Sequence, residues 1–377
     1  MDARVKTWPL ALLGARRLRV ISVTHAQTTL DPDAPDAGAG FQPQLTHLPI
    51  SLEEVTASPE ERGGIWFRFF NSCNLRCSYC DEPTLPAHPV NAELALATLA
   101  QLRRQGFDHI TLSGGEPTLL RQLPRFVEQL RAAGFSWISV ATNGHALRDP
   151  AFVQALVDTG VKELYMSVHG ADADAATGTT GKQGYWEALE TALANVQATA
   201  GARVHLGLNH VITTLSVGKL ATLAQLACRY GARSLQLSLM EQYVPDHPST
   251  VLMPRLADFS GELPQVRDRL QEAGIAFSLE GIPPCHLLGL EMHYLDFRRS
   301  RTSHARVVYQ SDGDTDVVQL TRGASRDMEK VFSPRCDTCL YRSHCCGVHH
   351  SYMSTHGADD LIPVGHAQIA MRQEQRS

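Results

Sequence analysis

No apolar run long enough to cross a bilayer occurs in the 377-residue chain, so a transmembrane helix is not expected. Charge of one sign is also scarce. Thirty-four Lys and Arg stand against 39 Asp and Glu, which supplies no basic face for nucleic acid or an anionic membrane surface. The 28 glycines and 20 prolines are too few for a collagen-like or low-complexity chain. Nine cysteines are too sparse for a disulfide scaffold, and the number is odd. No phosphate loop, catalytic triad or internal repeat is found. The short apolar stretch from Trp8 to Ala15 is broken by Arg16, Arg17 and Arg19, with Asp2 in the would-be basic region. It does not read as a signal peptide.

What the chain does have is cysteine in two groups. Cys73, Cys77 and Cys80 sit together, and Cys336, Cys339, Cys345 and Cys346 crowd the end. Clustered cysteines without an export signal read as metal or cofactor ligands in a reducing, cytoplasmic compartment.

Residues 1–62 read as an irregular N-terminal arm or linker, with one candidate strand at Leu18–Val23. From 63 to 280, β-like runs alternate with amphipathic helices. The runs are Ile65–Phe70, His109–Leu112, Trp137–Ala141, Glu163–Val168, Val204–Asn209 and Ser234–Met240, with a seventh candidate at Ile275–Leu279. Helical spacing marks Leu123, Phe126, Val127 and Leu130, closed by Gly134, and also Leu220, Leu223, Ala224 and Ala227. This alternation predicts an α/β fold, a partial (β/α)6 TIM-like barrel with its active site at the C-terminal ends of the strands. Residues 281–377 lose the alternation and gain Cys and His. They are expected to form a small C-terminal domain built around a cofactor.

The first cysteine group follows the first strand as Cys73-x3-Cys77-x2-Cys80. Three thiolates on one loop can hold three irons of a four-iron cluster and leave the fourth open. A structural zinc site needs a fourth ligand, and none stands nearby in sequence. With Tyr79 before the last Cys, the loop resembles the hallmark of the radical S-adenosylmethionine (radical SAM) superfamily. Ser113-Gly114-Gly115-Glu116-Pro117 ends the second strand as the family's Gly-Gly-Glu-Pro motif does. Thr142-Asn143-Gly144 ends the third and Ser167-Val168-His169-Gly170 the fourth.

The resemblance, over residues 64–285, implies a [4Fe-4S] cluster on Cys73, Cys77 and Cys80. It also implies a SAM site drawing on Tyr79, Gly114, Gly115, Glu116, Thr142, Asn143, Ser167, Asn209 and Met240. Gly115 and Glu116 would take the methionine amino group, Asn209 would lie near the ribose, and Met240 would line the adenine. SAM would be cleaved reductively to methionine and a 5′-deoxyadenosyl radical that abstracts hydrogen from a substrate carbon. A flavodoxin, ferredoxin or reductase would supply the electron. Taken singly, each match has an ordinary reading as a turn or a cap.

Cys336-x2-Cys339-x5-Cys345 resembles the end of the auxiliary-cluster domains called SPASM, or their shortened form, twitch. The resemblance implies a second, auxiliary [4Fe-4S] cluster on Cys336, Cys339 and Cys345, with Cys285 as fourth ligand. His349 stands where SPASM has a further Cys, and Cys346 is spare. Two other readings stay open here: a zinc site, and Cys285 as a free thiol that gives a hydrogen atom to a substrate radical. Cys228, on an apolar helical stripe, reads as an inert thiol, and His344, His349, His350, His356 and His366 as scattered surface residues. The SPASM-like ending favours a ribosomally made peptide or protein as substrate. The alternatives are a small-molecule intermediate, or a non-enzymatic iron–sulfur or zinc redox-responsive protein.

Overall fold

The computed structural model describes residues 4–7, 11–13, 16–24, 64–68, 72–80, 92–104, 107–242, 247–296, 305–311, 315–322 and 329–366. The expected linker from 27 to 62 and the last two residues of the expected first strand lie outside them. Seven parallel strands pair in chain order: β1 (Ile65–Arg68), β2 (His109–Ser113), β3 (Trp137–Thr142), β4 (Glu163–Ser167), β5 (His205–Ile212), β6 (Ser234–Leu239) and β7 (Ala276–Glu280). The longer helices between them are α1 (Ala92–Arg104), α2 (Leu123–Ala132), α3 (Pro150–Asp158), α4 (Ala173–Thr180), α5 (Tyr185–Ala200), α6 (Leu220–Arg229) and α7 (Leu263–Glu272). This is the expected partial barrel with its seventh strand present.

The strands keep a period of two. Ile65 and Phe67, Ile110 and Leu112, Leu164 and Met166, and Leu235 and Leu237 are buried on one face, where Phe67 stacks on Phe126 of α2. The opposite face is polar and hydrogen-bonded across strands. Ser139 donates to Glu163 at 2.6 Å. Gln236 and Ser238 donate to Glu280 at 2.7 and 3.1 Å. A closed barrel fills its interior with branched apolar side chains; this one leaves a polar lumen.

Two segments differ from the sequence expectation. Within the N-terminal arm, Arg4–Thr7, Ala11–Leu13 and Arg16–Thr24 are all strands, where one had been expected. Past β7, Ala305–Ser311 and Thr315–Arg322 form an antiparallel pair, and the first of them lies parallel to β1. The C-terminal part of the chain thus continues the barrel's own sheet, with Arg16–Thr24 parallel to Thr315–Arg322 beyond it. A separate two-strand ladder joins Lys330–Val331 to Val348–His349.

Candidate active site

A helix leaves its last carbonyls without partners. At the end of α4, those of Thr179 and Thr180 accept from the backbone of Ser78 at 2.8 Å and Arg76 at 3.3 Å. On the other side, the Glu116 N–H donates to the Ser72 carbonyl at 2.8 Å. The cysteine loop is therefore held between the turn after β2 and the end of α4, at the C-terminal end of β1. Cys73, Cys77 and Cys80 form no disulfide. The Leu75 N–H donates to the Cys73 sulfur at 3.4 Å, and the Asn143 side-chain amide reaches it at 3.8 Å. Burial pushes the Cys77 thiol far up, and ionised Cys80 and Cys73 push it further. Cys73 is raised, chiefly by burial. Thiols that oppose one another's ionisation are relieved by a bound cation.

Glu116 occupies the turn between the cysteine loop and β3, and its carboxylate is hydrogen-bonded. One oxygen accepts from the Thr118 N–H at 3.0 Å, the Thr118 hydroxyl at 2.5 Å and the Thr142 hydroxyl at 2.6 Å. The other accepts from the Asn143 N–H at 2.7 Å. Three donors crowd one oxygen and one reaches the other, which keeps an acceptor site. Burial raises the carboxyl, and the four donors pull it back. The side chain braces β2 to β3. Thr142 and Asn143 belong to the same brace. The Thr142 hydroxyl also accepts from the Gly144 N–H at 3.0 Å, and the Asn143 amide donates to Asn74 at 2.7 Å. Gly114, at φ +141°, takes a backbone conformation that a side chain would strain.

Of the other expected SAM residues, Ser167 ends β4, half-buried, and its carbonyl accepts from the Tyr185 hydroxyl at 2.8 Å. The Asn209 side-chain carbonyl accepts from Ser238 at 3.4 Å. Met240 is buried just past β6. Tyr79 turns its hydroxyl to His169 Nδ1, 2.7 Å away. Sequence reasoning missed His169, because nothing in its neighbourhood points to a partner 90 residues earlier.

Cys285, Cys336, Cys339 and Cys345 line one cavity, walled by Pro283, Pro284, Phe332 and Tyr341. The sulfurs of Cys345 and Cys339 accept from the backbone of Gly347 at 3.2 Å and Val364 at 3.3 Å, and Cys285 from that of Ile362. Burial, with the neighbouring thiols adding to it, pushes Cys285 and Cys345 each up to about 12. Gly347 turns the chain at φ +82°, where a Cβ would meet the Val331 carbonyl oxygen at 2.4 Å. Cys346 lies off the cavity lining, its N–H donating to the Tyr294 hydroxyl at 3.0 Å. Cys228 is half-buried against the core.

His349 is no surface residue. It is 1% exposed, with Nε2 2.9 Å from Glu329 and Nδ1 2.7 Å from the Ser351 hydroxyl. Glu329, His349 and His350 form the one set among the described residues whose ligand atoms lie within 4.8 Å of one another. No three cysteine sulfurs meet that limit among the described residues. Zinc–sulfur bonds of about 2.3 Å put tetrahedral sulfurs roughly 3.8 Å apart. A four-iron cluster is larger and holds its thiolates further apart.

Residues 67–211 match the family described as the Radical SAM superfamily. These residues belong to it. The radical SAM match runs from within β1 into β5, so it contains the cysteine loop, the Gly114-Gly115 turn and Ser167. Over 233 residues the chain is 31% identical to a PqqA peptide cyclase of Methylobacterium nodulans, covering 58% of this chain and 59% of that one. Over 128 residues it is 32% identical to a GTP 3′,8-cyclase of Tolumonas auensis, covering 32% and 36%. The chain spans about half the length of the peptide cyclases it matches. The crystal structure of Streptococcus suis SuiB bound to S-adenosylmethionine shares the fold, with a TM-score of 0.55 and 13% identity over 81% of this chain and 77% of that one. Among the described residues, no helix is long and apolar enough to cross a membrane.

Proposed function

We propose that this protein is a radical SAM enzyme of the reducing cytoplasm that matures a ribosomally made peptide or protein. One observation carries the reading: three cysteines outside any disulfide on a loop pinned at the C-terminal end of β1, within the matched superfamily segment. Cys73, Cys77 and Cys80 would hold a [4Fe-4S] cluster, which supplies the electron for reductive cleavage of SAM to a hydrogen-abstracting 5′-deoxyadenosyl radical. The protein's own part is to orient and to exclude water. The backbone of Gly114 and Gly115, together with Ser167, Asn209 and Met240, would receive SAM at the strand ends, with Tyr79 beside the cluster. Glu116, Thr142 and Asn143 would keep β2 and β3 in register beneath it.

Cys285, Cys336, Cys339 and Cys345 would hold the auxiliary cluster of a SPASM- or twitch-like unit within residues 281–377. Their shared cavity and the N–H donors on three of the sulfurs support this. As a ligand, Cys285 is not available as a hydrogen-atom donor. A flavodoxin, ferredoxin or reductase would deliver the electron.

The test is iron and sulfide content after anaerobic reconstitution, paired with a dithionite-plus-SAM assay for 5′-deoxyadenosine. About eight irons per chain with 5′-deoxyadenosine formation supports the reading. Intact clusters without 5′-deoxyadenosine refute it. A small-molecule substrate is the second reading, favoured by the similarity to a GTP 3′,8-cyclase. Co-expression with short open reading frames beside the gene separates the two: a mass change in a peptide supports the first and its absence the second.

A further inference from the structure

We infer that His169 is a positioning residue for the first cluster, fixing Tyr79 and donating a hydrogen bond from Nδ1 to the sulfur of the ligand Cys77. The inference rests on the cluster reading above. His169 lies two residues beyond Ser167, on the turn that leaves β4. Its Nδ1 is 2.7 Å from the Tyr79 hydroxyl and 3.6 Å from the Cys77 sulfur. An iron-bound thiolate only accepts, so the ring atom facing it must carry the proton. One N–H is then shared between the tyrosine oxygen and the sulfur, as in other three-centre bonds.

The turn leaves His169 little freedom to stand elsewhere. Before it, the Val168 N–H donates to the Asn209 carbonyl at 2.7 Å, and the Val168 carbonyl accepts from His210 at 2.7 Å. After it, Gly170 lets α4 come so close that a Cβ there would sit 2.2 Å from the Ala176 nitrogen. The same short segment thus meets the proposed cluster through His169 and the proposed SAM site through Ser167. A reduced cluster carries more negative charge than an oxidised one, so a donor to its sulfur favours reduction.

The test compares the reconstituted full chain with H169L and H169Q by redox titration followed by electron paramagnetic resonance. In H169L the ratio of reduced to oxidised cluster at a fixed potential should fall about tenfold, ~59 mV for a one-electron couple. H169Q, whose amide can donate, should recover most of that loss. Wild-type protein labelled with ¹⁵N-histidine gives a reading that needs no variant to fold: the reduced cluster should show a ¹⁵N coupling. An unmoved potential in iron-replete H169L overturns the inference, and so does an absent coupling. The two readings fail separately. A signal indifferent to SAM defeats the proposed function, while the coupling is still read from the same spectrum.

Discussion

The carboxylate of Glu116 accepts from the backbone N–H of Asn143 at 2.7 Å across 27 residues of sequence. With Thr118 and Thr142 it makes a closed knot of four donors and one acceptor pair, 1% exposed. An amide offers one acceptor atom where the carboxylate offers two. E116Q should therefore strand at least one buried donor and cost about 2 kcal/mol. Urea unfolding measures it. A cost near zero would mean that the knot contributes nothing to stability.

Lys330 is buried against Asp296, with the Glu241 carboxylate 3.8 Å away. Burial alone would lower the ammonium's affinity for its proton, but Asp296 first and Glu241 next hold it well above the usual lysine range. Removing one partner of a buried ion pair leaves charge uncompensated and costs about 3–5 kcal/mol. K330M should lose that much in chemical denaturation, and K330M/D296N should regain part of it.

The four cysteines of the second cavity make a countable prediction. C285A should bind about four irons per chain where the wild type binds about eight. C346A, whose residue is off the cavity lining, should match the wild type. If C285A retains all its iron, the hydrogen-donor reading of that thiol returns.

His210 gives a pH dependence. Its Nδ1 donates to the Val168 carbonyl, and its buried Nε2 has no partner among the described residues. Burial lowers the imidazole to about 4, against an ordinary value near 6.5. The unfolded chain takes up this proton first as pH falls, so stability holds above about 6.5 and erodes towards 4. Between pH 7 and 5 the loss from this one group should be about 2 kcal/mol. H210N, which can still donate to Val168, should show a wild-type-minus-variant difference of that size in urea melts. Equal losses in both proteins would rule His210 out.

The barrel was legible because its signals are local. Leu235 and Leu237 alternate with Ser234, Gln236 and Ser238, and Cys73, Cys77 and Cys80 lie within one loop. Other features depend on partners that no local pattern names. Nothing beside Glu116 in sequence shows that Thr142 and Asn143 fold onto it. His349 reads as a surface histidine until Glu329 and Ser351 enclose it. Pairing of Ala305–Ser311 with β1 was invisible for a different reason: a strand's sequence marks which face is apolar, not which neighbour it will meet.

That last pairing changes what counts as a removable piece. Cutting the chain after β7 to isolate the barrel would strip β1 of its outer partner. The unpaired N–H and C=O groups would be exposed on the strand that launches the cysteine loop, as an open template for intermolecular association. A shortened version made for study would begin with a sticky flank beside its most oxygen-sensitive residues. The segment carrying the second set of cysteines is also the guard rail of the first.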